Sequence, residues 1–120
     1  MNWIIKTLCI VLLSLCGTTL VHAQANNDYT IQLPSIFTPN GDGINDSLYV
    51  TTTNIKEFTW SIYNRYGRII IELNNLQPKW NGNNTIGDQP TDEGFYYYTF
   101  NAISTTNEAV SRHGWLFIIR

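Results

Sequence analysis

Apolar and polar side chains alternate with a period of two through Phe58-Thr59-Trp60-Ser61-Ile62-Tyr63, so that Phe58, Trp60 and Ile62 share one face. That period predicts a strand with one buried side, here over Phe58–Asn64. A second such run, Arg68–Leu73, points Ile69, Ile71 and Leu73 at the core and leaves Ile70 facing outward or packed under a loop. Asn64-Arg65-Tyr66-Gly67 lies between the two, and Gly67 can take the positive φ that closes a hairpin. Phe95–Ile103 is aromatic on both faces, which predicts a central strand covered on both sides. Ala109–Ile119 is the last strand, joined to it through a hairpin loop at Ser104-Thr105-Thr106-Asn107. Shorter runs predict strands at Thr30–Leu33 and Ser47–Thr52, with an extended piece at Pro78–Trp80.

Helical periodicity is nearly absent after residue 24, and Gly, Asn and Pro clusters separate the β-branched and aromatic runs. About seven short strands in one small domain predict an all-β fold, an immunoglobulin-like antiparallel β-sandwich. Trp60 is the candidate for its large central side chain. The aromatic residues can each remove about 150–250 Å² from water, which suits a small sandwich without a cystine.

The N-terminus reads differently. Ile4 to Leu20 is almost wholly apolar with Lys6 as its only charge, and it ends at Val21-His22-Ala23 before a polar stretch. This pattern predicts a secretory signal peptide over residues 1–23, cut after Ala23. An uncleaved anchor is the alternative. Lipid attachment at Cys16 is disfavoured, because the large Leu15 stands where a small residue is wanted. The remainder divides into a polar lead-in with the first strand over residues 24–35 and a β-sandwich domain over residues 36–120. Membrane contact is then transient, through the signal peptide. Both cysteines, Cys9 and Cys16, fall within that segment, so the exported part has no disulfide although its compartment would permit one. Setting Lys6 aside leaves six basic against nine acidic residues, a net charge of −3. Nucleic acid is excluded as a partner by that balance and by the lack of a basic cluster. Nothing in the sequence sets an oligomeric state.

Phe37-Thr38-Pro39-Asn40-Gly41-Asp42-Gly43-Ile44-Asn45-Asp46 is the densest run of backbone punctuation in the chain. Two readings of it stay open. Asn40, Asp42, the Ile44 carbonyl and Asp46 have the spacing of part of an acidic calcium loop, in which glycine permits the sharp turn. Thr38 stands where a fuller motif has an acid, and the terminal Glu of an EF-hand is absent. The preferred reading is a metal-free loop whose carboxylates cap backbone N–H groups. His113, in the polar approach to the last strand, lacks the nucleophile and acid of a triad and reads as a surface residue. Asp88, Asp92 and Glu93 fall in a Gly/Pro-rich loop and read as solvated turn residues rather than a glycosidase pair. Trp80 and Tyr96–Tyr98 read as core packing rather than a sugar platform.

The run from Phe37 to Asp46 resembles the opening signature of the gliding motility-associated C-terminal domain, the type B sorting domain of the type IX secretion system. Ile62-Tyr63-Asn64-Arg65-Tyr66-Gly67, Trp80-Asn81-Gly82, Gly94-Phe95-Tyr96-Tyr97-Tyr98 and Gly114 through Ile118-Ile119-Arg120 resemble its later motifs, in the same order. Phe95, where a small hydroxyl residue is usual, and the apolar Trp115-Leu116-Phe117 depart from the pattern. The resemblance implies a non-enzymatic sorting domain, secreted or displayed at the surface of a Gram-negative cell by way of the periplasm. Its partners would be components of the outer-membrane type IX translocon. On those grounds Ile118, Ile119 and Arg120 are candidate recognition residues. Arg65 and Arg68, flanking the hairpin turn, are candidates against a plain reading as solubilising charge. Few residues separate Ala23 from the motif, which leaves open a stand-alone sorting domain or a shortened remnant of a longer cargo. The competing function is an adhesion or carbohydrate-binding surface module, with calcium as a stabilising ion. Exposed aromatic residues on one sheet face would favour it, and burial of Trp80 and Tyr97 would favour pure scaffold.

Overall fold

A computed structural model of the protein describes residues 28–85 and 87–120. The signal peptide expected over residues 1–23, with Cys9 and Cys16, lies outside the described residues. Nine strands follow in chain order: β1 (Thr30–Gln32), β2 (Ile36–Phe37), β3 (Leu48–Tyr49), β4 (Thr51–Thr53), β5 (Ile55–Tyr63), β6 (Ile69–Asn74), β7 (Lys79–Trp80), β8 (Gly94–Ser104) and β9 (Ala109–Ile118). A five-stranded sheet runs β2-β9-β8-β5-β6, and two two-stranded sheets pair β1 with β4 and β3 with β7. All pairs are antiparallel except β2 with β9, which run parallel. The all-β sandwich expected from the periodicity stands, with more and shorter strands.

Period-two alternation builds the core. Trp60 and Ile62 of β5 lie opposite Phe100 and Tyr98 of β8 on one side, and opposite Leu73 and Ile71 of β6 on the other. These side chains share the inner face with Leu116 and Ile118, and the small sheets add Leu48 and Trp80 across from them. Trp60 is fully buried and meets the Tyr98 ring edge-on at 5.8 Å and the Phe100 ring at 6.5 Å. Gly114 lies opposite Tyr98, and a Cβ there would stand 2.9 Å from the Tyr98 hydroxyl oxygen. Glycine at that position lets the ring lie across the neighbouring strand.

Three expectations are corrected, and one strand is added. Ser47–Thr52 is not one strand: Leu48 and Tyr49 pair with β7, while Thr51–Thr53 leaves at Val50 to pair with β1. β2 has no counterpart in the pattern, because two residues between Pro34 and Pro39 show no period. A register shift between Ile62 and Tyr63 sets Tyr63 opposite Ile69 and leaves Ile70 unpaired with β5. That bulge turns Ile69 outward to 49% exposure and brings Ile70 against the core, the reverse of the simple alternation. β8 is central in its sheet, but only its inner face is covered; Phe95 is exposed and Tyr97 and Thr99 are half-buried. The hairpin turn itself forms as expected, with Gly67 at φ 76° and the Asn64 side-chain oxygen accepting the N–H groups of Tyr66 and Arg68.

Trp60 Nε1 is buried without an acceptor among the described residues. Trp60→Ala should therefore lower stability by about 3–5 kcal/mol through cavity formation, measured by urea denaturation. Trp60→Phe should cost clearly less, because it keeps much of the packing and removes an unpaired donor.

Candidate functional site

The loop after β2 is held by its own side chains. Asp46 accepts backbone N–H groups from Asn40 at 3.0 Å, Gly41 at 2.8 Å and Gly43 at 2.6 Å. Asn40 Oδ1 accepts the N–H of Asp42, and Asp42 Oδ1 accepts that of Ile44, giving two successive Asx turns. The Ile44 carbonyl accepts the Thr38 hydroxyl at 3.2 Å. Gly41 and Gly43 take positive φ, which aims their N–H groups inward. Each residue weighed as a calcium ligand thus already has an oxygen that accepts a donor within the loop. The N–H groups of Gly41 and then Gly43 hold the Asp46 carboxyl below its ordinary pKa of 3.8. Hydrogen bonds to the charged form favour it.

Beside this loop, segments distant in sequence converge on Arg120. Its guanidinium donates to the carbonyls of Pro39 at 2.8 Å, Gly82 at 3.1 Å and Thr91 at 3.2 Å. Its backbone N–H donates to Glu93 Oε1 at 2.6 Å. The Gly82 carbonyl also accepts the Thr91 N–H at 2.9 Å and the Thr91 hydroxyl at 2.7 Å. Apolar packing backs the node, with the Phe37 and Trp80 rings 5.4 Å apart. Gly82 has φ +86°, and a Cβ on it would meet Pro39 Cγ at 2.8 Å. The Pro39, Gly82 and Thr91 segments therefore pack in direct contact around one planar cation. Arg120, Glu93, Thr91 and the Pro39 carbonyl form a node that no local pattern announces.

The candidate recognition residues separate into three settings. Ile118 is fully buried in the core, and Ile119 is 38% exposed. Arg120 turns its guanidinium onto the three loops rather than outward. Arg65 and Arg68 are exposed on the β5–β6 turn, with the Arg65 guanidinium 5.3 Å from the Tyr66 ring centroid. Arg65 and Tyr66 face Thr91, Glu93 and Tyr96 across a cleft of about 390 Å³. Burial pushes the Tyr96 hydroxyl above its ordinary pKa, with the Asp92 charge adding to it, while that hydroxyl donates to the Asp92 carbonyl at 2.7 Å.

The remaining candidates fall as follows. His113 lies within β9, not in a loop before it, and its ring is 6.4 Å from that of Tyr97. Asp88 accepts from Asn83 Nδ2 at 3.0 Å. Trp80 and Tyr96 are buried, and Tyr97 and Tyr98 are half-buried. The outer face of β8 and β9 carries aromatic residues in register. Phe95 stacks on Phe117 at 4.5 Å, and Tyr97 meets Trp115 edge-on at 5.5 Å.

Two outcomes test this geometry. The stability Asp46 confers should be complete above pH 3.8 and be lost as pH falls through its lower folded-state value. Comparing the melting temperatures of wild type and Asp46→Ala across that range, with calcium or with chelator, reads the effect; the N–H groups alone predict no response to calcium. Arg120→Ala should lower stability by about 1.5–3 kcal/mol, the cost of hydrogen bonds to a charged group, and Arg120→Lys should recover only part of it.

No curated protein matches the chain. Among solved structures, the crystal structure of CopC from Methylosinus trichosporium OB3b is similar at 14% identity, over 61% of this chain and 72% of that one, with a TM-score of 0.41. The CHU_C Type IX secretion signal domain family matches residues 31–118, from β1 to the end of β9. That match takes in the Asp46 loop and every strand that positions the Arg120 node, and the chain belongs to the type IX secretion signal domain family.

Proposed function

We propose that the β-sandwich is a non-enzymatic address that directs export across the outer membrane, read in the periplasm by the outer-membrane type IX translocon. The signal peptide expected over residues 1–23 would bring the chain to that compartment. The observation that carries the reading is the family match over residues 31–118, the span that folds into the sandwich. Support also comes from the node, where the Pro39, Gly82 and Thr91 segments meet around Arg120 and hold the loop end in one arrangement. Arg65 and Arg68, exposed at the neighbouring turn, are the proposed charged contacts for the translocon.

One observation favours a second reading, a carbohydrate-binding or adhesion module: Phe95 is 66% and Trp115 62% exposed on a single sheet face. Sugar rings stack on such side chains. Burial of Trp80 counts toward a scaffold. A fusion of residues 27–120 to a fluorescent reporter carrying a signal peptide distinguishes the two. The reporter is expected in the medium only when the translocon is intact. Export independent of the translocon, with retention on cell-surface polysaccharide, would replace the first reading with the second.

A further inference from the structure

The large sheet ends on one side in an edge that the fold leaves open. β2 pairs with β9 at Phe117 and Ile118 only. The bonds run from the Phe117 N–H to the Ser35 carbonyl at 2.8 Å and from the Ile119 N–H to the Phe37 carbonyl at 3.2 Å. Odd-numbered residues of β9 therefore turn their backbone groups away from β8, while even-numbered residues bond to it. The β8–β9 register carries no bulge from Gly94↔Ile118 to Ile103↔Ala109, so the alternation holds along the strand. Ala109, Ser111, His113 and Trp115 thus direct backbone N–H and C=O groups to the side where β2 has ended. All four residues are exposed, and no strand pairs with them there among the described residues.

Edges of this length are usually blunted by proline, a bulge or inward charges, and this run has neither proline nor bulge. Here Arg112 is the only charge in the run, and its guanidinium reaches just the neighbouring Ser111 carbonyl, at 3.4 Å. Apart from the Ser111 carbonyl, which the Arg112 guanidinium meets, the outward N–H and C=O groups at every second residue require the same groups in return, which an extended polypeptide supplies and a sugar does not. The line of β2 continues directly along this edge, so an added strand would extend a pairing the fold already uses. Arg112 calls for an acidic side chain on that strand, and Trp115 offers an apolar neighbour on the outer face. A second copy pairing antiparallel about the centre of the run would set Arg112 opposite Arg112, an unfavourable match.

We propose that Ala109–Trp115 accepts, by strand addition, an extended acidic-and-apolar segment of an outer-membrane secretion component. This rests on the export reading above and names the surface that is read. The edge is distinct from Ile118–Arg120, which β2 and the node already occupy.

The test uses the full chain, expressed in a bacterium with an intact type IX system and followed by immunoblot of medium and periplasm. His113→Pro removes one outward N–H and leaves the β8 ladder untouched. Export of His113→Pro should fall about tenfold or more, from the lost hydrogen bond and the steric block of the ring, with folding retained by circular dichroism. Export of His113→Pro at the wild-type level overturns the proposal. If His113→Pro fails to fold, Ser111→Pro makes the same test; misfolding of both means these amides are paired within the fold, which also overturns it. Dimerisation of wild type in sedimentation, abolished by His113→Pro, assigns the edge to a second copy and overturns the named partner. Retention of wild type itself in the periplasm is the separate result that defeats the export reading.

Discussion

The hold of the Arg120 guanidinium on three carbonyls is the interaction on which the loop end of this domain depends. The segments 38–46 and 81–93 hold few strand residues, so their backbone groups cannot be satisfied by a long ladder. Buried or half-buried loop carbonyls still need donors. One planar cation with donors in a fixed fork provides them for Pro39, Gly82 and Thr91 together, and so fixes the three loops relative to one another. Residues 28–120 contain no cysteine, so no covalent tie does this work. The cation follows directly on β9, which lies between β8 and β2.

The sequence range over which each contact acts explains which parts of the architecture were legible in the sequence. β5, β8 and β9 are long, and each repeats its buried face several times, so period-two alternation located them to within a few residues. The Asp46 loop was legible for another reason: its hydrogen bonds span two to six residues, and the Asn, Asp and Gly that make them are adjacent in sequence. Illegible features have partners far away. The contact of Arg120 with Pro39 spans 81 residues and uses a backbone carbonyl, which no residue type advertises. β2 is two residues long and owes its existence to β9. The bulge at Ile69 and Ile70 inverts a local pattern because it answers to the register with β5, not to the hydrophobicity of its own strand.

The two faces of the large sheet are unequal. The inner face is filled by Trp60, Ile62, Phe100 and Leu116, each fully buried. The outer face keeps Phe95 and Trp115 in contact with solvent, stacked within their own ladder. Isolated exposed apolar residues need no explanation, but a register of aromatic pairs beside an open edge is a coherent surface. On the proposed export reading, recognition of this domain falls to the exposed groups at the sheet margin and at the Arg65–Arg68 turn.

That division changes how an export defect can be interpreted. Ile118 is a core side chain and Arg120 the clasp of three loops, so deleting Ile118–Arg120 removes packing and the node together. Failure of such a truncation to leave the cell would report loss of fold as readily as loss of an address. Arg65 and Arg68 carry no such double burden, because both are exposed at the turn. Substitution at such positions changes the surface without opening the core, and surface changes of this kind are usually worth no more than about 0.5 kcal/mol of stability. Only residues of that kind can separate a recognition role from what holds the sandwich together.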